Sequence, residues 1–210
     1  MTEPDWLTLG REVQAIAQNG LTFTTNPYDI ERYHRLRDIA SDLLAIQSDE
    51  DATVLRRLHA RESGYATPKI DVRVAVFDKE GRILLVRETC DAGRWTLPGG
   101  WADVNLTTAE NAVKEAREES GYDVAPVKLA ALWDRARQGH RPEVFSCAKI
   151  FYICRLLGGV ALQNTDETCG TGWFTRDEIS TDLSFDRVRM HQIERMFDHH
   201  QQPDLMTDFE

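Results

Sequence analysis

Cysteine is scarce in this 210-residue chain: Cys90, Cys147, Cys154 and Cys169 are the four, and no C-x-x-C pair occurs. That excludes a disulfide framework or a thiolate metal knuckle as the organising principle. Cys147 and Cys154 stand an odd number of residues apart in a strand-like run, which sends them to opposite faces, and buried reduced thiols are expected. Long apolar runs are also missing. Nothing approaches the ~20 residues of a membrane span, and the opening Met-Thr-Glu-Pro-Asp-Trp has neither the basic nor the apolar segment of a signal peptide, so a cytoplasmic protein with no membrane partner is expected. Basic residues are in deficit, with 25 Lys+Arg against 35 Asp+Glu, a formal charge of −10. A protein that coats nucleic acid needs the opposite balance, so nucleic acid is not an expected partner. Repeats and low-complexity tracts are absent too. What is present is ordinary globular composition, 41% hydrophobic, enough to bury a core.

The texture changes near residue 66. Before it the spacing is helical: Trp6, Leu9, Val13 and Ile16 in one run, then Tyr33, Leu36, Ile39, Ala40, Leu43 and Ile46 after an Asn26-Pro27 start, then a short helix from Thr53 to Arg61. Three helices make a thin core, so residues 1–66 are expected to be a helical module whose stripes pack on the rest of the chain or on a second copy, giving a homodimer. After Pro68, Val72, Val74 and Val76 alternate with Arg73, Ala75 and Phe77, Asp78 to Gly81 supplies a hairpin turn, and Ile83 to Val86 returns. Further strands are expected at 127–133, 146–157 and around Trp173-Phe174, and a final helix from Phe185 to Phe197. The second domain is placed at 67–203, with a flexible tail at 204–210.

Chemistry concentrates between Arg94 and Tyr122. Pro98-Gly99-Gly100 breaks a strand and allows close backbone approach, and from Thr107 the spacing is helical until Ser120-Gly121. On that helix Glu115 and Glu119 lie about 40° apart and Glu118 about 60° to the other side, so three carboxylates share a face. Ala109, Val113, Ala116 and Ser120 form a small-residue stripe suited to packing on a sheet. Like charges within one turn repel, and a divalent cation removes that penalty. Hard oxygen ligands suit Mg²⁺ or Mn²⁺, which also bind substrate phosphates. A lone Glu-x-x-Glu-Glu would read as a solvated acidic face, but a Gly-Gly turn directly before it changes the reading.

Turn and helix together resemble the Nudix hydrolase signature, G-x5-E-x7-R-E-U-x-E-E-x-G-U, with U aliphatic. Laid on the chain from Gly100, the pattern puts the carboxylate triplet at Glu115, Glu118 and Glu119 and the last glycine at Gly121. Leu106 stands at the first Glu position and Lys114 at the Arg position, while Asp103 is near enough in the loop to replace the missing carboxylate. Residues 6–33, Thr67 to Arg73 and Gly99 to Val104 are similar to a bacterial subgroup with a helical N-terminal extension, whose members include CDP-choline and ADP-ribose pyrophosphatases. The resemblance implies an α+β fold, a Nudix-type α/β/α sandwich with a mixed sheet, preceded by the helical module. It also implies metal-dependent hydrolysis of a nucleoside diphosphate linked to a moiety X, giving a nucleoside monophosphate and X-phosphate.

Under that resemblance Glu115 and Glu119 are expected metal ligands with a backbone carbonyl near Gly100, and Glu118 completes the cluster or acts as base. Related enzymes often take the base from a later loop, where Glu167 is the candidate. Arg87 and Arg94 are placed to hold phosphate oxygens, since guanidinium matches them bidentately. Trp133 or Trp101 is expected to stack on a base, with Trp95 and Trp173 in the core. Arg135, Arg137, His140 and Arg141 form either a mobile loop closing on an anionic substrate or a solvated one, and His199-His200 reads as a surface pair. A nucleotide-sensing regulator on the same fold is the alternative. It is disfavoured because the final helix mixes Arg187, Arg189 and Arg195 with Asp186, Glu194 and Asp198.

Overall fold

A computed structural model of the chain describes residues 5–46, 51–141 and 143–210. They fall into two compact units: residues up to Pro68 with the segment 143–146, and Lys69–Arg141 with Cys147–Glu210. No helix among the described residues is long and apolar enough to cross a membrane.

The first unit holds α1 (Asp5–Phe23), α2 (Pro27–Ile46) and α3 (Ala52–Arg61). Asn26 accepts the Tyr28 N–H at 2.9 Å with Pro27 in the first turn, and Asp51 caps α3 through the Thr53 N–H at 2.6 Å. The inner face differs from the expected stripe. Leu7, Ala17, Ala40, Leu44 and Leu55 are buried, whereas Leu9, Ile16, Ile39 and Ile46 are exposed. Small residues decide this, because they let two helices approach closely. A Cβ added to Gly10 would lie 2.6 Å from Leu44, and one added to Gly20 would lie 2.4 Å from the Tyr33 ring. Ser41 and His59 meet in the same core at 2.9 Å.

The second unit is a six-stranded mixed sheet between two helices. Its strands are β1 (Lys69–Phe77), β2 (Ile83–Glu88), β3 (Arg94–Thr96), β4 (Tyr122–Asp134), β5 (Cys147–Gly159) and β6 (Thr168–Phe174), in the order β3-β2-β1-β5-β4 with β6 on β2. β1 runs parallel to β5 from Lys69↔Cys147 to Phe77↔Arg155 and is buried on both faces, as a parallel pair must be. Val72, Val74 and Val76 pack with Ala112 and Ala116 of α4 (Thr108–Ser120). Ala75 and Phe77 pack with Ile193, Met196 and Phe197 of α5 (Met190–Gln201). The small stripe of α4 is therefore centred on Ala112 and Ala116 rather than Ala109. α5 starts later than its apolar spacing suggests, because Arg187 and Val188 close a turn on the Ser184 carbonyl.

The tail expected to fray is tied down. Asp208 exchanges backbone bonds with Ala130 and Leu132 on the edge of β4, and its carboxylate takes Arg195 and His199. His199 is thus buried, not a surface residue, and the half-buried His200 stacks on Phe77 at 4.0 Å. Cys147 and Cys154 are buried on opposite faces, but Cys90 and Cys169 are exposed; all four are free thiols.

Candidate active site

The turn before α4 is sewn to β1 by main-chain bonds. The Val72, Val74 and Ala102 N–H groups donate to Gly100, Pro98 and Ile70 carbonyls at 2.8, 2.9 and 2.9 Å. Gly99 has φ 143°, and a Cβ there would sit 2.0 Å from the Val72 carbonyl oxygen, so only glycine fits. α4 then begins with a capping box, Thr107 and Glu110 each bonding the other's backbone N–H, and ends at Gly121 with φ 79°. Asn111 accepts the Asp103 N–H at 2.9 Å and ties the intervening loop to the helix.

This frame aims α4 so that Glu115 and Glu119 are buried and Glu118 is not. Glu119 accepts the Gly99 N–H at 2.8 Å, and Gly100 leaves the space that the Glu115 carboxylate fills. Glu167 joins them from the loop before β6, where its N–H donates to Thr165 Oγ1 and its carbonyl accepts the Thr89 N–H. Carboxylate oxygens of Glu115, Glu119 and Glu167 lie within 4.8 Å of one another. Burial pushes the Glu119 carboxyl up to about 8, Arg73 and the Gly99 N–H oppose it, and Glu115 and Glu88 add to it. Burial raises Glu115 as well, with Glu167 adding to the effect against Lys114. Three crowded carboxylates with oxygen donors only are a donor set that fits a hard divalent cation.

The helical module and the carboxylate domain each match a known family. Residues 67–195 match the NUDIX domain, and residues 4–59 match the UDP-X-like N-terminal oligomerisation domain. The chain belongs to the Nudix hydrolase family. A Bacillus subtilis (strain 168) protein, YjhB, which carries a provisional ADP-ribose pyrophosphatase name, is 40% identical over 205 residues, 98% of this chain and 97% of its own. A solved UDP-X diphosphatase is 32% identical with a TM-score of 0.61, covering 100% of this chain and 99% of that one. A Streptococcus suis 89-1591 ADP-ribose pyrophosphatase is 35% identical with a TM-score of 0.61, over 69% of this chain and 100% of that one.

In this Nudix chain the other expected site residues divide. Glu118 stands outside the carboxylate cluster and pairs with Lys114 at 2.8 Å. Lys114 also reaches Asp103 at 3.2 Å and Glu115 at 3.6 Å, so Asp103 faces the ammonium that stands at the Arg position of the box. The Gly100 carbonyl accepts the Val72 N–H. Arg87 is exposed on β2, its Nε donating to the Gly93 carbonyl and its guanidinium over Trp95 at 5.2 Å. Arg94 is held by Asp91 at 2.6 Å and approached by Asp182 at 3.6 Å, so two carboxylates already occupy it.

Trp133 is 7% exposed and packs on Phe151 in the core, so it offers no face to a base. Trp101, 53% exposed and bridged to Asp71, is the tryptophan open to a ligand. The basic stretch after β4 is not fully solvated. Arg135 and His140 are buried, Arg135 donating to the Arg141 carbonyl and His140 to that of Phe185.

Two buried charged groups belong to none of the expected sites. Asp71, Arg73 and Lys149 form a buried ion cluster, and Glu88 is buried against Arg187 at 2.7 Å. The signal for the first was available: Asp71 and Arg73 share the strand face of Ala75 and Phe77, where charge is out of place.

Proposed function

We propose that this Nudix hydrolase cleaves the diphosphate of a nucleoside diphosphate joined to a moiety X, of the ADP-ribose or CDP-choline type, in a Mg²⁺- or Mn²⁺-dependent reaction. The observation that carries the reading is the convergence of the Glu115, Glu119 and Glu167 carboxylates beside the Gly99-Gly100 turn. The names of the relatives support the substrate class, since two are pyrophosphatases or diphosphatases of nucleoside diphosphate compounds.

Glu115 and Glu119 would hold the cation. When bound, it supplies charge neutralisation for the diphosphate and a lowered pKa for the attacking water. Glu167, exposed at the loop end of the cluster, would take the proton from an attacking water. Arg87, exposed on β2, would hold phosphate oxygens, and the exposed Trp101 would stack on a base. Glu118 then serves through Lys114, keeping that ammonium between Asp103 and α4. The helical module is read as the part that joins two copies, because its exposed apolar residues include Leu9, Ile16, Phe23, Ile39 and Ile46.

The test is a panel of ADP-ribose, CDP-choline and UDP-linked sugars with Mg²⁺ or Mn²⁺, followed by phosphatase detection of the products. Glu115→Gln, Glu119→Gln and Glu167→Gln are each expected to lower kcat/KM by about 10²-fold or more, and Glu118→Gln by less than about tenfold. Absence of product with every substrate, or a Glu119→Gln variant as active as the parent, would refute the reading.

A further inference from the structure

β1 commits one face to the core through Ala75 and Phe77, yet Asp71 and Arg73 occupy the same face and are buried with them. Arg73 Nε and one terminal nitrogen donate to both Asp71 oxygens at 2.8 and 2.7 Å. Lys149, the cross-strand partner of Asp71 on β5, donates to the same carboxylate at 2.8 Å and is 1% exposed. Two buried cations on one carboxylate are a poor device for stability. Desolvation of such ions cancels most of their attraction, and apolar residues of similar volume serve a core as well or better. Their position gives these residues another role.

Arg73 sits between Val72 and Val74, the residues whose N–H groups hold the Gly100 and Pro98 carbonyls. Its second terminal nitrogen reaches the Leu97 carbonyl at 3.4 Å. Three successive β1 residues thus grip the turn that runs from Leu97 to Gly100. That turn in turn fixes the cluster: Gly99 donates to Glu119, and Gly100 bounds the space of the Glu115 carboxylate. The Arg73 charge also acts on both Glu119 and Glu115.

We infer that Asp71, Arg73 and Lys149 form a positioning triad for the cation site, with Arg73 locked by Asp71 so that the 97–100 turn presents Glu115 and Glu119 together. The inference rests on the divalent-cation hydrolase reading and adds residues that touch neither substrate nor metal. Lysine at position 73 would keep the charge but could not span both Asp71 oxygens and the Leu97 carbonyl.

Mn²⁺ binding to the full chain, followed by electron paramagnetic resonance, tests this without relying on turnover. Arg73→Lys is expected to weaken Mn²⁺ binding about tenfold and to raise the Mn²⁺ needed for half-maximal hydrolysis by a similar factor, with kcat at saturating Mn²⁺ within about threefold of the parent. The triple variant Asp71→Leu, Arg73→Met, Lys149→Met replaces the ions with apolar volume, so it is expected to fold and still bind Mn²⁺ at least tenfold more weakly. Ile193→Val, a core change on α5, controls for general destabilisation and should bind Mn²⁺ as the parent does. Parental Mn²⁺ affinity in Arg73→Lys and in the triple variant overturns the triad, as does an equal loss in Ile193→Val. A parent protein that neither binds Mn²⁺ nor hydrolyses the panel overturns the proposed function itself, a distinguishable result.

Discussion

His140 is buried, its Nδ1–H donating to the Phe185 carbonyl and its Nε2 without a partner among the described residues. Burial, with Lys149 and Arg135 nearby, pushes its pKa down to about 3 from an ordinary 6.5. Between those values the unfolded chain binds a proton that the folded chain refuses, so this contribution to stability is complete above about 6.5 and is lost as pH falls toward 3. Near pH 5 the loss is expected to be on the order of 2 kcal/mol. Thermal denaturation of His140→Gln against the parent from about pH 7.5 to 5 checks it: the variant should lose less stability on acidification, and parallel curves would refute the assignment. At this scale Glu115 and Glu119 were legible because a four-residue helical spacing brings their side chains together. The departure of Glu118 was not, because it depends on which face α4 turns to the sheet and on the pull of Lys114.

Elements carry the next level of specification. The loop and α4 form a locally encoded unit, with a glycine at φ 143°, a capping box and a glycine at φ 79° following one another within 99–121. Thr107→Ala should cost about 1 kcal/mol, the worth of a helix N-cap, and lower the thermal midpoint by a few degrees with kcat/KM nearly kept. Gly99→Ala should cost about 3 kcal/mol or more and reduce kcat/KM at least tenfold, because its Cβ would meet the Val72 carbonyl in the wall of the site. Equal effects of the two changes on activity would mean that the turn does not shape the carboxylate cluster. The strands were readable from alternation and turn residues, and β1 was the clearest. The start of α5 and the anchored tail were not readable, since the Ser184 turn and the Asp208 contacts with Arg195 and His199 need partners brought from elsewhere.

For the whole molecule, the formal charge of −10 resolves into local contributions. Residues 103–123 alone hold six acids and two bases, so the site region is acidic where a cation is wanted. The helical module leaves Leu9, Ile16, Ile39 and Ile46 in the open, residues whose sequence spacing reads as core. The proposal that they join two copies is checked by multi-angle light scattering of the full chain. A dimer mass is expected for the parent, and a monomer for the double change Ile16→Glu, Ile39→Glu; a monomeric parent would end the proposal.

By itself the amino-acid sequence determined the helical module, the alternating strands and the Gly-Gly turn leading into an acidic helix. Each of these is written in spacings of two to four residues, and backbone sterics and side-chain periodicity act over that range. Tertiary structure alone decided that Glu167 completes the carboxylate cluster while Glu118 leaves it, that Trp133 is core, and that Arg73 stands behind the turn with Asp71 and Lys149. The physical reason is the same in every case. A buried charge or an aromatic face takes its role from whatever the fold places against it, and those partners come from segments far away in the chain.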